Sequence, residues 1–329
     1  MDKEMLKKLM EPDAYPHDAE GVEMIETHIS WIFLAGKFAY KVKRPVKFTF
    51  LDFSTLEKRK EHCNNEVVLN SRLCPDMYIW VVPVIEKNGS LHFGGVGKIV
   101  EYAVKMKRYP EERRMDRLLE KGLVGGKVVG EIAKMIADFH FDIMKIEDGK
   151  YGSPGIVKKQ VDDLALHRET IEKACGLGEN VDFALERCDS FMEKNKEFFV
   201  KRQKEGMIRN CHGDLHSANI FIGEKRICIF DCIEFSKDFR YIDTASEIAF
   251  MAMDLDAFGK RELSSLFVDA YIRESKDRGA LFLLDYYKCY RANVRAKIAA
   301  IEYSQGPNED SKKRIEKYVE LMERYAKGL

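Results

Sequence analysis

Residues 211–231 constrain this chain more than any other stretch. They read Cys-His-Gly-Asp-Leu-His-Ser-Ala-Asn-Ile-Phe-Ile-Gly-Glu-Lys-Arg-Ile-Cys-Ile-Phe-Asp. Two apolar runs flank the four-residue turn 223–226, the pattern of a small β-hairpin. Asn219 precedes the first run and Asp231 follows the second, so both sit at the hairpin's outer ends. Asp214 lies five residues before Asn219, and Gly213 lets the loop turn ahead of it. An amide carbonyl and a carboxylate are hard oxygen donors, which suits Mg²⁺. A second carboxylate held outside the metal shell suits an acceptor hydroxyl.

Such a set points to phosphoryl transfer, where a protein supplies mainly positioning and charge neutralisation. Asp214 is the expected catalytic residue, aligning the attacking hydroxyl and taking its proton. Asn219 and Asp231 are the expected magnesium ligands on an ATP triphosphate. His-Gly-Asp alone is weak, because Gly-Asp is a common turn pair. The combination H-x-D-x-x-x-x-N, strand, turn, strand, Asp is far more specific.

The remaining parts can be sought upstream. Residues 29–34 form an aromatic, β-branched run, Ala35-Gly36-Lys37 turns the chain, and residues 38–43 form a second strand closed by Arg44-Pro45. Alternation places Ala39, Lys41 and Lys43 on one face. Lys41 is the expected phosphate lysine, with Lys43 as its alternative. A Ser/Thr cap at 54–55 opens a helix predicted over 56–73. Glu66 is its best-placed partner for Lys41, with Glu57 and Glu61 as alternatives nearer the exposed end. Strands at 77–85 and 98–106, joined by a glycine-rich hairpin at 88–97, and a short first strand at 21–26 predict a five-stranded antiparallel sheet. Residues 104–107, with Met106, are the expected hinge where backbone groups meet adenine. The turn over the phosphates would be 26–30, where backbone amides, His28 and the Ser30 hydroxyl are candidates.

With these segments in place, the chain resembles the aminoglycoside phosphotransferase-like branch of the protein-kinase-like superfamily. His-Gly-Asp-Leu-His-Ser-Ala-Asn at 212–219 matches that branch's catalytic loop, and Asp231 takes the place of its magnesium-binding Asp. It is similar over nearly its whole length to bacterial and archaeal proteins of that branch whose substrate is unknown. These share Glu-Thr-His-Ile-Ser-Trp at 26–31, Leu-Asp-Phe-Ser-Thr-Leu-Glu at 51–57 and Asp-Cys-Ile-Glu-Phe at 231–235. The resemblance implies an α+β, bilobal, protein-kinase-like fold. A small antiparallel β-sheet N-lobe would occupy residues 1–106 and bind nucleotide. A mainly helical C-lobe would occupy 107–329 and carry the catalytic loop and acceptor site. It also implies Mg–ATP as co-substrate, but no particular acceptor. Asp243 resembles a family position with a structural role under the catalytic loop.

Departures are equally legible. No G-x-G-x-x-G precedes the first hairpin, and no Ala-Pro-Glu follows Asp231, which argues against a protein kinase. Asp231 is followed by Cys-Ile-Glu; Glu234 would either join the metal site or pair with Arg240. Gly94–Lys98 lacks the Ser/Thr and spacing of a phosphate-binding loop and precedes a strand. His212, His216 and Cys211 lack the spacing of a zinc site. The expected reading is a phosphotransferase acting on a small-molecule alcohol or amine. The alternatives are a nucleotide-binding regulatory pseudokinase or a transferase acting on a protein.

Composition agrees. Fifty-five basic and 55 acidic side chains give no net charge, so neither nucleic acid nor a membrane surface is an expected partner. No apolar run reaches a membrane span. Residues 1–10 read as a charged amphipathic helix rather than a secretion signal. The eight scattered cysteines are expected to be reduced thiols in a cytoplasm. Helices are predicted over 128–141, 162–175, 182–203, 244–258, 261–275, 280–303 and 311–325. Asp254 and Asp256 are candidates to meet a cationic substrate, or else belong to a solvated face.

Overall fold

The computed structural model describes residues 1–48, 51–224 and 226–329. Thr49, Phe50 and Lys225 of the 223–226 turn lie outside the described residues. The chain divides into two compact units. The first is Met1–Arg117 with Ala218–Lys237, and the second is Leu118–Ser217 with Asp238–Leu329. The division is therefore not one cut of the chain, as the sequence reading placed it after Met106. The first unit runs past that point and takes back the hairpin that follows the catalytic-loop motif.

The first unit is built on an antiparallel sheet. Its strands are β1 (Glu23–Glu26), β2 (Ser30–Ala35), β3 (Phe38–Lys43), β6 (Tyr78–Lys87), β7 (Ser90–Phe93) and β8 (Lys98–Lys107), in the order β1-β2-β3-β8-β6-β7. Six strands replace the five expected. The extra one, β7, lies inside the stretch read as a glycine-rich hairpin, where only four residues carry the strand pattern. A short pair, β4 (Lys47–Phe48) and β5 (Leu51–Asp52), lies beside the sheet's sequence, and β10 (Ile220–Ile222) and β11 (Ile227–Ile229) form the predicted hairpin.

Helix α1 (Lys3–Leu9) buries Leu9 in one core with Trp31, Phe33, Tyr40, Val84 and Phe93. Helix α2 (Leu56–Asn70) is capped by the Thr55 side chain, which accepts from the Lys58 N–H at 3.3 Å. Its Cys63 helps build a second core with Ala39, Tyr78, Val104 and Met106. There Cys74 and Cys228 form a disulfide across 154 residues of sequence, so the expectation of eight reduced thiols is corrected; the other six cysteines form no disulfide among the described residues. No pairing signal is legible beforehand, because partners so far apart are brought together only by the fold.

The chain passes to the second unit through α3 (Met115–Glu120). The second unit is mainly helical: α4 (Gly126–Asp142), α5 (Pro154–Asp162), α6 (Arg168–Cys175), α7 (Gly178–Lys204), α8 (Lys237–Arg240), α9 (Thr244–Ala257), α10 (Arg261–Ser275), α11 (Gly279–Phe282), α12 (Leu284–Gln305) and α13 (Glu309–Ala326). The single helix expected over 162–175 is broken by a 3₁₀ turn at Asp163–His167. A two-stranded ribbon, β9 (Ile208–Asn210) with β12 (Tyr241–Asp243), lies before and after the 211–237 stretch in sequence. Helix α9 is buried from Thr244 to Leu255, so its Met and aromatic stripe is core. Among the described residues no helix is long and apolar enough to cross a membrane.

Candidate active site

In the first unit, five charged side chains form a chain of alternating sign. Strand β3 sends Lys41 and Lys43 to the same side, two residues apart, as strand alternation requires. Glu66 of α2 receives both, with Lys41 Nζ on Oε1 at 2.8 Å and Lys43 Nζ on Oε2 at 2.6 Å. Lys41 also reaches Asp231 Oδ1 at 2.6 Å. Lys43 is bonded to Glu234 Oε1. The sequence left Lys41 and Lys43 as alternatives, and Glu66 holds both. Glu57 and Glu61 are not part of this group. Glu234 pairs with Lys43, and Arg240 instead donates to Asn210 Oδ1 at 2.6 Å within the second unit. The alternation of Lys43 with Lys41 was visible in sequence; the reach of Glu234 was not, since it follows an irregular turn.

The electrostatics follow from burial and pairing. Glu66 is fully buried, which would raise its carboxyl, but the two lysines outweigh this and bring it to about 2. Burial would lower Lys41, and Asp231, Glu66 and Glu234 together hold it well above its ordinary value. Burial and the neighbouring Glu66 push Glu234 up. The group carries two lysines against three carboxylates, a net excess of acid.

Asp231 is the exposed end of the chain, with 44% of its side chain accessible. Its φ is 62°, the left-handed region that non-glycine residues seldom adopt. Two side chains hold the backbone there. The Asp231 N–H donates to the Tyr78 hydroxyl at 3.1 Å, and the Cys232 N–H donates to Asn70 Oδ1 at 2.7 Å. Asn219, buried, accepts the Phe230 N–H on its carbonyl at 3.0 Å, which closes the hairpin. One amide and one exposed carboxylate on a braced hairpin suit a hard divalent cation.

The other expected nucleotide residues are scattered over the same sheet. Thr27 and Ser30 tie the β1–β2 turn: Ser30 N–H donates to Thr27 Oγ1 at 2.9 Å, and Thr27 Oγ1 to the Ser30 carbonyl at 3.0 Å. His28 is exposed at the tip, while Ser30 is buried opposite Lys43 in the β2–β3 register. The Ser30 hydroxyl has no hydrogen-bond partner among the described residues. Met106 lies inside β8, opposite Ala39 and Tyr78, and the first unit continues beyond it to Arg117.

The second unit carries Asp214. Gly213 has φ 89°, the conformation expected of the glycine before it. His216 Nε2 lies 3.3 Å from Asp214 Oδ2. Burial would raise the Asp214 carboxyl, but His216 and then Arg295 hold it well below the usual carboxylate range. It is therefore ionised near neutral pH and accepts hydrogen bonds.

The loop backbone is held from below by Glu247 of α9. It accepts the Gly213 N–H at 2.6 Å on Oε1 and the His212 N–H at 3.0 Å on Oε2. His140 Nε2 meets Glu247 Oε2 at 2.8 Å, and Tyr271 bonds the other His140 nitrogen at 2.8 Å. Arg291 donates to the Gly213 carbonyl at 3.2 Å, and Asp254 accepts the Ser217 N–H at 2.8 Å. Asp243 instead caps α9 at Ala245 and grips Arg202 by two bonds of 2.7 Å, and Arg202 also holds Asp277. His140, Cys211 and Glu247 are close enough to hold a metal, but both oxygens of Glu247 and both nitrogens of His140 are already bonded. This is a structural bracket under the loop. Glu247 and Arg291 left no signal in sequence beyond polar residues on buried helices.

No family model matches the chain. Uncharacterized proteins of Mycobacterium tuberculosis and Mycobacterium bovis are 32% identical to it over 302 residues, 90% of this chain. The chain spans 58% of the length of these curated relatives. Among solved structures, a Plasmodium vivax ethanolamine kinase superposes with a TM-score of 0.54 at 11% identity, covering 92% of this chain and 82% of that one. A choline kinase from Cryptosporidium parvum gives 0.54 at 13%, covering 97% and 95%. A thermostable mutant of aminoglycoside phosphotransferase APH(4)-Ia, in a ternary complex with AMP-PNP and hygromycin B, gives 0.51 at 12%, covering 97% and 99%. The chain has the protein-kinase-like fold. Its curled antiparallel sheet and its helical unit are the N-lobe and C-lobe of that fold, as the resemblance implied.

Proposed function

We propose that the protein is a small-molecule kinase that moves the γ-phosphoryl group of Mg–ATP to a hydroxyl or amine. The observation that carries this reading is Lys41, bonded at once to Glu66 and to Asp231. A lysine so placed is charged, oriented and next to a carboxylate able to ligate a cation. The solved kinases of the same fold, one of them with an ATP analogue, favour the same reading.

In this reading the N-lobe receives the nucleotide. Lys41, held by Glu66, meets the α- and β-phosphates. Asn219 and Asp231 hold Mg²⁺, whose charge would offset that of the triphosphate. His28 and the backbone amides of the β1–β2 turn cover the phosphates, with Ser30 behind them, and the strand containing Met106 borders the adenine. The C-lobe receives the acceptor, which Asp214 aligns. The acceptor oxygen bonds to the γ-phosphorus as the bond to the β–γ bridging oxygen breaks. The acceptor's proton passes to the Asp214 carboxylate, and ADP leaves.

The test is transfer from γ-labelled Mg–ATP into a deproteinised extract of the cells that make the protein. A labelled compound formed by the wild type and not by Asp214→Asn supports the reading, and its mass identifies the acceptor. ATP binding with no transfer to any small molecule sinks it. Asp231→Asn separates the metal role: magnesium-dependent nucleotide binding should weaken, and unchanged binding would remove Asp231 from the metal site.

A further inference from the structure

We propose that the acceptor carries an anionic group, a carboxylate or a phosphate, and that Arg295 and Lys317 receive it beside Asp214. The inference rests on the reading of Asp214 as the residue that aligns the acceptor.

The argument begins on α12. Arg291 and Arg295 are four residues apart and therefore share one helix face. Arg291 reaches the carbonyl of Gly213, the residue before Asp214. Arg295 lies one turn further along, where the Asp214 and Asp254 charges both act on it. Helix α13 completes the group. The Tyr318 ring lies under Arg295 at 5.5 Å and under Lys317 at 5.5 Å, and Lys317 also lies over Phe258 at 5.2 Å. The rings fix both cations without neutralising them. Neither makes an ion pair within 4.0 Å among the described residues, and both are partly accessible.

The acidic groups that could have welcomed a cation are already engaged. Asp254 is buried and accepts the Ser217 N–H. Asp256 holds Lys288 at 2.9 Å and the Tyr325 hydroxyl at 2.6 Å. The solvated face that the sequence favoured for Asp254 and Asp256 is thereby corrected, and their bonds leave neither placed to meet a cationic substrate. Besides Asp254, Glu120 is the acidic group that acts on Lys317, and Asp214 is reserved for the chemistry. Two further buried atoms near the loop lack a hydrogen-bond partner among the described residues, Arg291 Nη2 and Ser217 Oγ. Arg291 and Arg295, on the α12 face that meets the Asp214 loop, can only donate. A guanidinium and an ammonium suit a carboxylate or phosphate and repel an ammonium ligand. This site would therefore select against choline, which carries a permanent positive charge.

The experiment divides the deproteinised extract near neutral pH on an anion-exchange resin before incubation with γ-labelled Mg–ATP and the full-length protein. The expected acceptor comes from the retained, anionic pool. With that compound, Arg295→Gln and the partly exposed Lys317→Glu should each raise its KM by on the order of tenfold, about 1.4 kcal/mol of binding. KM for ATP should not move, and Arg295→Lys should recover part of the loss. An acceptor from the unretained pool overturns the proposal and leaves the kinase reading standing. A fall in kcat with unchanged acceptor KM also overturns it, because Arg295 would then only support the loop. Transfer to neither pool overturns the kinase reading and this proposal with it.

Discussion

The lysine–carboxylate group of the N-lobe and the bracket under the Asp214 loop of the C-lobe handle buried charge in opposite ways. In the N-lobe, charged side chains bond to one another, from Asp231 through Lys41, Glu66 and Lys43 to Glu234. Around the Asp214 loop of the C-lobe, charged side chains bond to backbone: Glu247 to the His212 and Gly213 amides, Arg291 to the Gly213 carbonyl, Asp254 to the Ser217 amide. The first arrangement can repartition when a cation or a phosphate arrives, because each lysine has a second partner to fall back on. The second cannot, because a peptide group has no alternative charge state. The N-lobe group is suited to accepting a charged ligand, and the C-lobe bracket to holding a loop still.

The largest test of this contrast is Asp214→Asn. The amide keeps the shape and the bracket beneath it but loses the ionised acceptor. Turnover should fall by roughly 10²–10⁴-fold, the range for a positioned acid–base group. Mg–ATP affinity should stay within a few-fold. If calorimetry shows affinity falling in parallel, Asp214 holds the fold or the nucleotide, and the division of labour between the lobes collapses.

Lys43→Met asks whether the N-lobe charges depend on one another. Lys43 is 1% exposed and sits between two carboxylates. Removing one member of a buried ionic group typically costs about 3–5 kcal/mol, because the remaining charge is stranded. Adding Glu234→Gln should return part of that loss, while Glu66 keeps Lys41. Denaturation midpoints at unchanged m report both. A single-variant cost below about 1 kcal/mol would mean that water, not Lys43, satisfies Glu234.

This contrast also explains what could be read beforehand. Strand alternation put Lys41 and Lys43 on one face, and helical spacing put Glu66 on the side of Asn70 and Leu73, so the N-lobe lysine and glutamate were legible from local periodicity. The hairpin was legible from its turn, and the Asp214, Asn219 and Asp231 spacing from chemistry. Strand β7 was missed because four residues inside a glycine-rich stretch carry little pattern. Glu247 and Arg291 were missed for another reason. Each acts on a loop more than thirty residues away in sequence, and a polar residue on a buried helix face does not say what it faces. Glu234 and the Cys74–Cys228 pair fall in the same class.

Glu247→Gln tests the C-lobe bracket through pH. Burial would raise this carboxyl, but His140 and the Gly213 amide outweigh it and hold it at about 2, below its ordinary 4.5. A group whose folded value is depressed stabilises the fold above its unfolded value and loses that contribution as pH falls through the folded one. The contribution is complete above about 4.5 and vanishes toward 2, and the gap corresponds to on the order of 3 kcal/mol. The wild type should therefore lose stability steeply across that window, and the glutamine variant should start lower and fall less. Equal slopes in the two proteins would show that Glu247 is not the group titrating, and that the loop is held by Arg291 and Asp254 instead.

The smallest effect belongs to Ser30→Ala. The Ser30 hydroxyl is buried in β2 opposite Lys43 and has no hydrogen-bond partner among the described residues. Deleting an unsatisfied buried group removes a desolvation penalty rather than a bond, so stability should be unchanged or rise by up to about 1 kcal/mol. The informative quantity is then nucleotide affinity. If Mg–ATP binding weakens while stability holds, the hydroxyl turns to the phosphates when they arrive, and the N-lobe adapts to its ligand. If neither changes, phosphate contact falls to the backbone amides of the turn that Thr27 ties, and that turn is as fixed as the loop around Asp214.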